Sequence, residues 1–449
     1  MRSTQTVRVP LSSYAAPLRP GTLPVGQRTG GTERRPVMRL GQPGALEAAA
    51  YTCYFASMAA DHSGILGYDS FHFVVENLDR SRKFYTENFD FKEVARASDE
   101  LVERSGQQSV VFGAGEVRVC VSTPLRQQSK ASRYLQRHPS GVMSLSFRVK
   151  DLDHTMAFLE KRGGTFLAEP LDVKDGGGRY RSVEIATPLG DVAFRFIERT
   201  EFSKFAPGFI DSGVGNAGQP KNLYGIRTID HVTANGLTMQ PIVAWYRDVL
   251  GFEPFWDISF HTKDIASDGR QNLQQAAQNR GSGLRSIVMW DPVSNVKFAT
   301  NEPLRPNFRD SQITKFVDDN GAAGIQHIAM AVDNIVWSIE ELKRRGVDFM
   351  DTPKAYYQAL PERLEKLGIT NVAQELKELE RLQILVDGAE DKYMLQIFLR
   401  EAKALHDDLR AGPFFYEVIQ RCGDEGFGYG NFRALFESIE RFQKTGVTA

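Results

Sequence analysis

Two histidines and a glutamate in the second half of the chain combine the residue types of a metal site. His231, His327 and Glu417 each lie in a segment with the residue pattern of a β-strand. On neighbouring strands, two imidazoles and one carboxylate would cover one face of an octahedral metal and leave three positions open. Such ligands suit Fe(II), while zinc and manganese stay open alternatives on residue type alone.

The segments that contain these residues belong to a pattern that occurs twice. Three pairs of segments match in order: 68–75 with 227–234, 141–151 with 324–333, and 193–199 with 415–421. Helical stretches follow in both halves, at 78–89 and at 239–250. We therefore predict an α+β fold built from duplicated βαβββ modules, in two domains that each form an open, curved β-barrel.

The duplication also serves as an internal control. Matched in order, the first half has His72, Ser144 and Arg195 where the second half has the two histidines and the glutamate. Serine is a poor metal ligand and arginine repels a cation. The sequence thus predicts a structural first half and a metal site in the second half only.

Length and composition limit the class of protein. A chain of 449 residues predicts two or three domains. The formal net charge of −1 argues against a chain-wide surface for nucleic acid or anionic membranes, and no apolar run is long enough to cross a bilayer. Three cysteines without a CxxC pair indicate a reducing cytoplasm.

The composition also suggests domain boundaries. Residues 1–62 form an Arg-, Pro- and Gly-rich segment that we expect to be a disordered extension, with a downstream start codon or an organelle-targeting peptide as alternatives. Residues 63–200 are predicted to form the structural domain. Residues 201–228 form a linker, and 229–449 form the catalytic domain with a C-terminal lid helix.

Seven short motifs in the second half occur in an order that identifies a family. They are 301–303, 311–313, 324–329, 356–357, 395–398, 414–421 and 426–432. With these motifs the chain closely resembles the 4-hydroxyphenylpyruvate dioxygenases of the vicinal-oxygen-chelate superfamily. The resemblance covers about residues 65–443 and is strongest from His231 onward.

The resemblance implies an Fe(II) enzyme that converts 4-hydroxyphenylpyruvate and dioxygen to homogentisate and carbon dioxide in tyrosine catabolism. It implies His231, His327 and Glu417 as the ligands of one iron per chain. It further implies catalytic roles for Ser286, Asn301, Gln312 and Gln326, and substrate binding by Gln396, Phe398, Phe415, Phe427, Asn431 and Phe432. Strict strand alternation points Gln326 away from the site, although the family has a glutamine there near the pocket. Partners would be the small-molecule substrate and dioxygen, with no nucleic acid or membrane, and the enzyme would be a homo-oligomer, a dimer or tetramer.

The last helix is predicted over 431–442, with one apolar face and the glycines 426, 428 and 430 before it. We interpret it as a lid that excludes water, with a static core helix as the alternative. The chain departs from the family pattern at Ala299-Thr300, at Tyr429 and in a longer segment at 263–283.

Three other functions stay open on the sequence. A 4-hydroxymandelate synthase would use the same scaffold, substrate and iron, but Phe427 and the 428–432 motif favour ring hydroxylation. A non-catalytic binding protein would not need the triad. A glyoxalase-type isomerase usually has more metal ligands, contributed by both modules. Ser144 and Arg195 in the first half argue against this function, because neither is a suitable metal ligand.

Overall fold

The computed structural model describes residues 62–213, 221–261, 283–305, 308–428, 430–436 and 439. Four predictions fall wholly or largely outside these residues. They are the disordered extension, the long segment at 263–283, the departure at Tyr429 and the C-terminal part of the lid helix. The described residues contain two mixed β-sheets, one from each half of the sequence.

The first sheet has nine strands among the described residues, in the order β6-β7-β8-β5-β1-β4-β3-β2-β9. The strands are β1 Ile65–Val74, β2 Lys92–Ala97, β3 Gln107–Ala114, β4 Val117–Pro124, β5 Gly141–Val149, β6 Leu171–Asp175, β7 Gly178–Ala186, β8 Ala193–Thr200 and β9 Phe209–Asp211. The α-helices are Leu78–Lys83, Asp99–Ser105, Lys130–Leu135 and Leu152–Lys161, and a π-helical turn at Phe84–Asn88 extends the first. Strand β9 lies in the segment predicted as a linker and pairs with β2.

The second sheet has eight strands among the described residues, in the order β11-β12-β13-β10-β14-β17-β16-β15. The strands are β10 Ile226–Asn235, β11 Glu253–His261, β12 Gly283–Trp290, β13 Lys297–Pro303, β14 Gly324–Val332, β15 Leu385–Ala389, β16 Lys392–Phe398 and β17 Phe415–Cys422. The α-helices are Gln240–Asp248, Gln312–Asn320, Ile335–Arg344, Lys354–Lys366, Leu376–Leu382 and Ala402–Leu405, with further helical backbone at 430–436. Short 3₁₀ turns lie at Phe308–Asp310 and Leu409–Ala411.

The duplication extends to the ends of a helix in each half. The side chains of Asp151 and Asn334 accept the backbone N–H of His154 and Trp337, and so cap two equivalent helices. Gly163 and Gly346 follow these helices with φ of +82° and +80°, a conformation that glycine adopts without strain. The same local signals therefore build the same strand-to-helix unit twice.

Strand register corrects one detail of the predicted match between the halves. His72 pairs with Ser144 across β1 and β5, whereas the residue that pairs with His327 across β10 and β14 is Thr233. A bulge follows His72 in one pair and Thr233 in the other. His72 therefore corresponds to Thr233.

The residue that corresponds to His231 is Ser70. A conserved geometry supports this match, because the residues before them, Asp69 and Asp230, each pair with an arginine, Arg199 and Arg421. The first half thus has Ser70, Ser144 and Arg195 at the three ligand positions. The expectation that the first half lacks a metal triad does not change.

The two sheets pack against each other through large aromatic side chains. The hydroxyls of Tyr85 and Tyr416 lie 2.6 Å apart, and the rings of Phe73 and Phe414 are 4.9 Å apart. Phe298 of the second half stacks on Phe194 of the first at 5.4 Å. The main hydrophobic core contains residues of both halves.

No helix in the described part of the chain is long and apolar enough to cross a membrane.

Candidate metal centre

His231, His327 and Glu417 come together on three adjacent strands, β10, β14 and β17. The pairings place His231 opposite Ala329 and Ala329 opposite Glu417, so these three residues form one row across the sheet. His327 lies two residues before Ala329 and therefore on the same face. The methyl group of Ala329 leaves room between the flanking side chains, and the three ligand atoms converge there.

The three side chains have the geometry of a ligand set. Their ligand atoms all lie within 4.8 Å of one another. Oε2 of Glu417 is 3.2 Å from Nε2 of His231 and 3.4 Å from Nε2 of His327. Each residue is at most 2% exposed. Buried imidazole and carboxylate groups directed at one point fit a divalent cation, which would neutralise the carboxylate.

The protonation equilibria reflect this crowding. Burial alone would raise the pKa of Glu417, but His231 and His327 lower it to about 2. Burial alone would lower the pKa of His231, but Glu417 and Asp230 raise it. For His327, burial lowers the pKa despite the opposing effect of Glu417. The carboxylate is therefore ionised and available as a ligand over the physiological pH range.

An aspartate and an arginine orient the first histidine. Nδ1 of His231 lies 2.8 Å from Oδ1 of Asp230. Arg421 donates to both oxygens of this carboxylate, each at 2.7 Å. Although burial would raise the pKa of Asp230, the bonds from His231 and Arg421 hold it well below its usual range. The aspartate thus retains a proton on Nδ1 and leaves Nε2 free to bind a metal.

One glutamine side chain contacts the second histidine, and a second glutamine bonds to the first. Oε1 of Gln326 lies 3.2 Å from Nδ1 of His327. Nε2 of Gln326 donates to Oε1 of Gln312 at 3.0 Å. Although Gln326 immediately precedes a ligand in the strand, its side chain reaches that ligand's outer nitrogen. Both glutamines are buried.

The remaining carboxylate oxygen of the triad is bound by an amide. Nε2 of Gln396 donates to Oε1 of Glu417 at 2.8 Å. Asn431, on the helical segment 430–436, donates through Nδ2 to Oε1 of Gln396 at 2.8 Å. Two of the predicted substrate-binding residues are therefore bonded in series to the glutamate.

Two predicted catalytic residues carry buried polar atoms without partners. Ser286 and Asn301 lie directly opposite each other on β12 and β13. The Ser286 hydroxyl and Oδ1 of Asn301 make no hydrogen bond within the described residues, while Nδ2 of Asn301 donates to Asn235 at 2.9 Å. A buried unpaired polar group costs about 1–3 kcal/mol, so a polar ligand that bonds to these atoms would remove that cost.

The four predicted phenylalanines lie around the triad or close to it. Phe427 packs against His231 with 4.7 Å between the ring centroids, and Phe415 stacks on His327 with 4.9 Å between the ring centroids. Phe398 contacts His327 edge-on at 5.9 Å. Phe432 lies farther out, against Trp256 at 5.9 Å. Aromatic rings thus contact both imidazoles, by stacking at Phe415 and by edge contacts at Phe398 and Phe427.

The equivalent position in the first half contains an ion pair. Arg195 corresponds to Glu417 and donates to Glu184 through Nε at 2.9 Å. Lys130 contacts the same carboxylate at 3.3 Å. These cations account for the lowered pKa of Glu184, about 2, against the opposing effect of burial.

Sequence reasoning missed several residues of the site. Asp230 was not predicted, although it precedes a ligand, because strict alternation places it on the opposite face. Arg421 and Ala329 lie inside quoted motifs without an assigned role. Tyr356, from the 356–357 motif, donates to Asn431, and Arg363 donates to Tyr356, but neither residue had an assigned role. The Asp–Arg pair occurs in both halves, and this repetition is a signal that could have revealed Asp230 and Arg421.

Comparison with known proteins reveals one consistent set of relatives. The family model of the Glyoxalase/Bleomycin resistance protein/Dioxygenase superfamily matches residues 67–193 and 228–360. A 4-hydroxyphenylpyruvate dioxygenase of Dictyostelium discoideum is 33% identical over 387 residues, which cover 84% of this chain and 98% of that protein. The enzymes of the same name from Yarrowia lipolytica and Danio rerio are also 33% identical, over 84% of this chain and over 92% and 91% of their own lengths.

Solved structures share the fold. A variant of 4-hydroxymandelate synthase from Streptomyces coelicolor matches with a TM-score of 0.68 at 23% identity, over 85% of this chain and 99% of that one. A xylose isomerase-like TIM barrel/4-hydroxyphenylpyruvate dioxygenase fusion protein matches with a TM-score of 0.61 at 16% identity, over 85% of this chain and 53% of that one.

Proposed function

The chain belongs to the 4-hydroxyphenylpyruvate dioxygenase family of the Glyoxalase/Bleomycin resistance protein/Dioxygenase superfamily, and on this premise we propose how its own residues perform that reaction. The function is oxidative decarboxylation and ring hydroxylation of 4-hydroxyphenylpyruvate to homogentisate. The observation that carries the proposal is the buried triad on β10, β14 and β17, in the same sheet as buried polar atoms that have no partner in the described part of the chain.

We propose that His231, His327 and Glu417 hold one Fe(II). A structural zinc site normally has four protein ligands, whereas these three residues form the ligand set typical of non-haem Fe(II). Three ligands on one face of the metal leave positions for substrate and oxygen. Bound Fe(II) would supply the activation of dioxygen, which amino-acid side chains cannot perform. Asp230 contributes by holding the proton of His231 on Nδ1, so that Nε2 faces the site.

The polar residues of the pocket bind and orient the substrate in this proposal. Ser286 and Asn301 offer a free hydroxyl and a free amide oxygen in a buried place. Gln312 and Gln326 are neutral amides that bond to each other, and Gln326 also lies beside His327. Neutral donors and acceptors can bind a phenol or a keto acid without forcing the phenol to ionise.

The apolar residues exclude water. Phe398, Phe415 and Phe427 cover the triad, and Phe432 belongs to the segment 430–436 that packs against them. We propose that this segment is the beginning of the predicted lid. A closed, dry site would protect the reactive oxidant from bulk water.

Several finer features are also proposals. We place the enzyme in the cytoplasm as a homo-oligomer, a dimer or tetramer, that acts on a small molecule and dioxygen without nucleic acid or membrane partners. We keep the division into a structural domain (63–200), a linker (201–228) and a catalytic domain (229–449). Residues 1–62 are not needed for the proposed chemistry.

The test is to incubate the purified chain with Fe(II), ascorbate and 4-hydroxyphenylpyruvate, follow oxygen uptake and identify the product. Homogentisate would support the proposal. 4-Hydroxymandelate would assign the alternative function, that of the synthase whose fold the chain shares. An iron-loaded sample that consumes no oxygen would exclude both. The variant Glu417→Ala should abolish oxygen uptake, whereas His72→Ala, in the first half, should not.

A further inference from the structure

A chain of hydrogen bonds leads from the metal ligand Glu417 away from the site. Its first two members, Gln396 and Asn431, are called the amide pair here. Oδ1 of Asn431 accepts from the Tyr356 hydroxyl at 2.7 Å. The same hydroxyl oxygen accepts from Nη2 of Arg363 at 2.6 Å. The amide pair is at most 3% exposed, so water cannot readily replace these bonds.

The direction of each bond in this chain is fixed by its two ends. The ionised Glu417 can only accept, so Gln396 must present its NH2 group to it. The oxygen of Gln396 then faces Asn431, which must also present its NH2 group. Oδ1 of Asn431 is therefore left to face Tyr356, whose hydroxyl must donate.

Arg363 directs the single proton of that hydroxyl. Two acceptors lie within reach of Tyr356, namely Oδ1 of Asn431 and, at 2.9 Å, the carbonyl of Val386. Arg363 donates to the Val386 carbonyl and to the Tyr356 oxygen. The Val386 carbonyl thus has Arg363 as a donor, and the backbone N–H of Val386 also donates to the Tyr356 oxygen at 2.8 Å. This arrangement favours the tyrosine proton on Oδ1 of Asn431, whose own amide cannot donate from that atom.

The same contacts fix the start of the helical segment 430–436. Oδ2 of Asp387 accepts the backbone N–H groups of Gly430 and Asn431, at 2.6 and 3.1 Å. A side chain at residue 430 would lie 2.7 Å from Arg363. Glycine at this position therefore lets the segment approach the guanidinium group, which any larger residue would push aside.

We propose that Tyr356 and Arg363 are positioning residues for the metal ligand Glu417. They act through the amide pair, which holds Oε1 of the carboxylate and leaves Oε2 to face the histidines. Metal binding and docking of the segment 430–436 thus depend on the same bonds. This inference rests on the proposed function only in treating the triad as a metal site.

The neighbouring tyrosine provides a matched control. Tyr357 lies on the same helix, is also largely buried, and its hydroxyl donates to the backbone carbonyl of Ile384 at 3.1 Å. Tyr357→Phe therefore removes a buried phenol bond from the same helix without touching the amide pair. Tyr356→Phe removes the donor to Asn431.

The experiment titrates the metal-free full-length protein and both variants with Co(II), followed by the visible absorption of the bound ion. Loss of an outer-shell partner typically weakens metal binding 10- to 100-fold. We expect about a tenfold weaker affinity in Tyr356→Phe and an affinity within twofold of the parent in Tyr357→Phe. The absorption bands of bound Co(II) should also change only in Tyr356→Phe, since they report the ligand geometry.

Amide hydrogen exchange gives a second measurement that needs neither metal nor turnover. In the metal-free protein, exchange at 430–436 should rise about tenfold in Tyr356→Phe and stay unchanged in Tyr357→Phe. Equal effects of the two variants on affinity and exchange would overturn the inference. A parent protein that binds no Co(II) would overturn both this inference and the proposed metal site. Failure to make homogentisate, with the Co(II) results as expected, would overturn the proposed reaction alone.

Discussion

The duplicated Asp–Arg pair allows a sharp test of how the first histidine is oriented. In the second half Asp230 accepts from Nδ1 of His231, and in the first half Asp69 accepts from the hydroxyl of Ser70 at 3.0 Å. Each aspartate is also bound by an arginine, Arg199 on β8 or Arg421 on β17. The perturbation is Asp230→Asn, with Asp69→Asn as the matched control.

The structure predicts two separate magnitudes for this pair of variants. Both aspartate side chains are nearly buried, with 10% and 7% exposure for Asp230 and Asp69. Removing one charge of a buried pair costs about 3 kcal/mol, so both variants should lose a similar free energy of unfolding. Only Asp230 contacts a metal ligand, and its neutralisation should weaken metal binding at least tenfold, about 1.4 kcal/mol.

The assay combines urea unfolding of the metal-free variants with calorimetric titration by Co(II). Similar losses of stability together with weaker metal binding in Asp230→Asn alone would support the role of Asp230. If Asp69→Asn weakens metal binding as much, the effect is a general loss of packing. If Asp230→Asn is destabilised and still binds Co(II) at full affinity, the carboxylate does not act through His231.

Three further predictions concern space, unpaired groups and pH. Ala329→Leu should fill the gap in the ligand row and abolish Co(II) binding in calorimetry, whereas Ser146→Leu at the equivalent site of the first half should not; binding by the first variant would contradict the row geometry. Ser286→Ala should raise KM for 4-hydroxyphenylpyruvate without lowering metal-free stability in thermal unfolding, because its hydroxyl has no partner in the described part of the chain. Ser338→Ala removes a hydroxyl that donates to the carbonyl of Tyr224, so it should instead cost about 1 kcal/mol of stability. A similar loss of stability in Ser286→Ala would show that its hydroxyl does have a protein partner. Burial, aided by Arg195, lowers the pKa of His72 from 6.5 to about 3. Between pH 6.5 and pH 3 the unfolded state therefore binds a proton that the folded state does not. The free energy of unfolding should fall as the pH is lowered through this range. His72→Gln should weaken that dependence in unfolding curves measured across this range, and an unchanged slope would exclude His72 as its source.

The repeat and the triad could be predicted from sequence because both depend on local signals. Strand alternation, the equivalent caps at Asp151 and Asn334 and the glycines that end the helices occur twice at the same spacing. The three ligands follow from their residue types at repeated positions. The predicted match between the first strands of the two halves was wrong by two residues. Each of these strands contains one histidine, so His72 was matched with His231, but the bulges that follow His72 and Thr233 show that these two residues correspond.

The outer shell of the site could not be predicted in the same way. Tyr356, Val386 and Asn431 are each separated by at least 30 residues, and their meeting depends on how a helix crosses β15 and where the last segment docks. The partner of Asp230 is likewise 191 residues away. No local pattern encodes these contacts, since each arises only after the sheet has closed.

Strand β17 presents alternate residues to the metal site and to the first half of the protein. Phe415 and Glu417 face the site, while Tyr416 contacts Tyr85 of the other half. The first half therefore supports the strand that carries Glu417. We therefore expect substitutions of Tyr85 to lower activity, although this residue belongs to the other half of the sequence. Residues 229–449 expressed alone would lack the surface on which Tyr416, the neighbour of Glu417, packs.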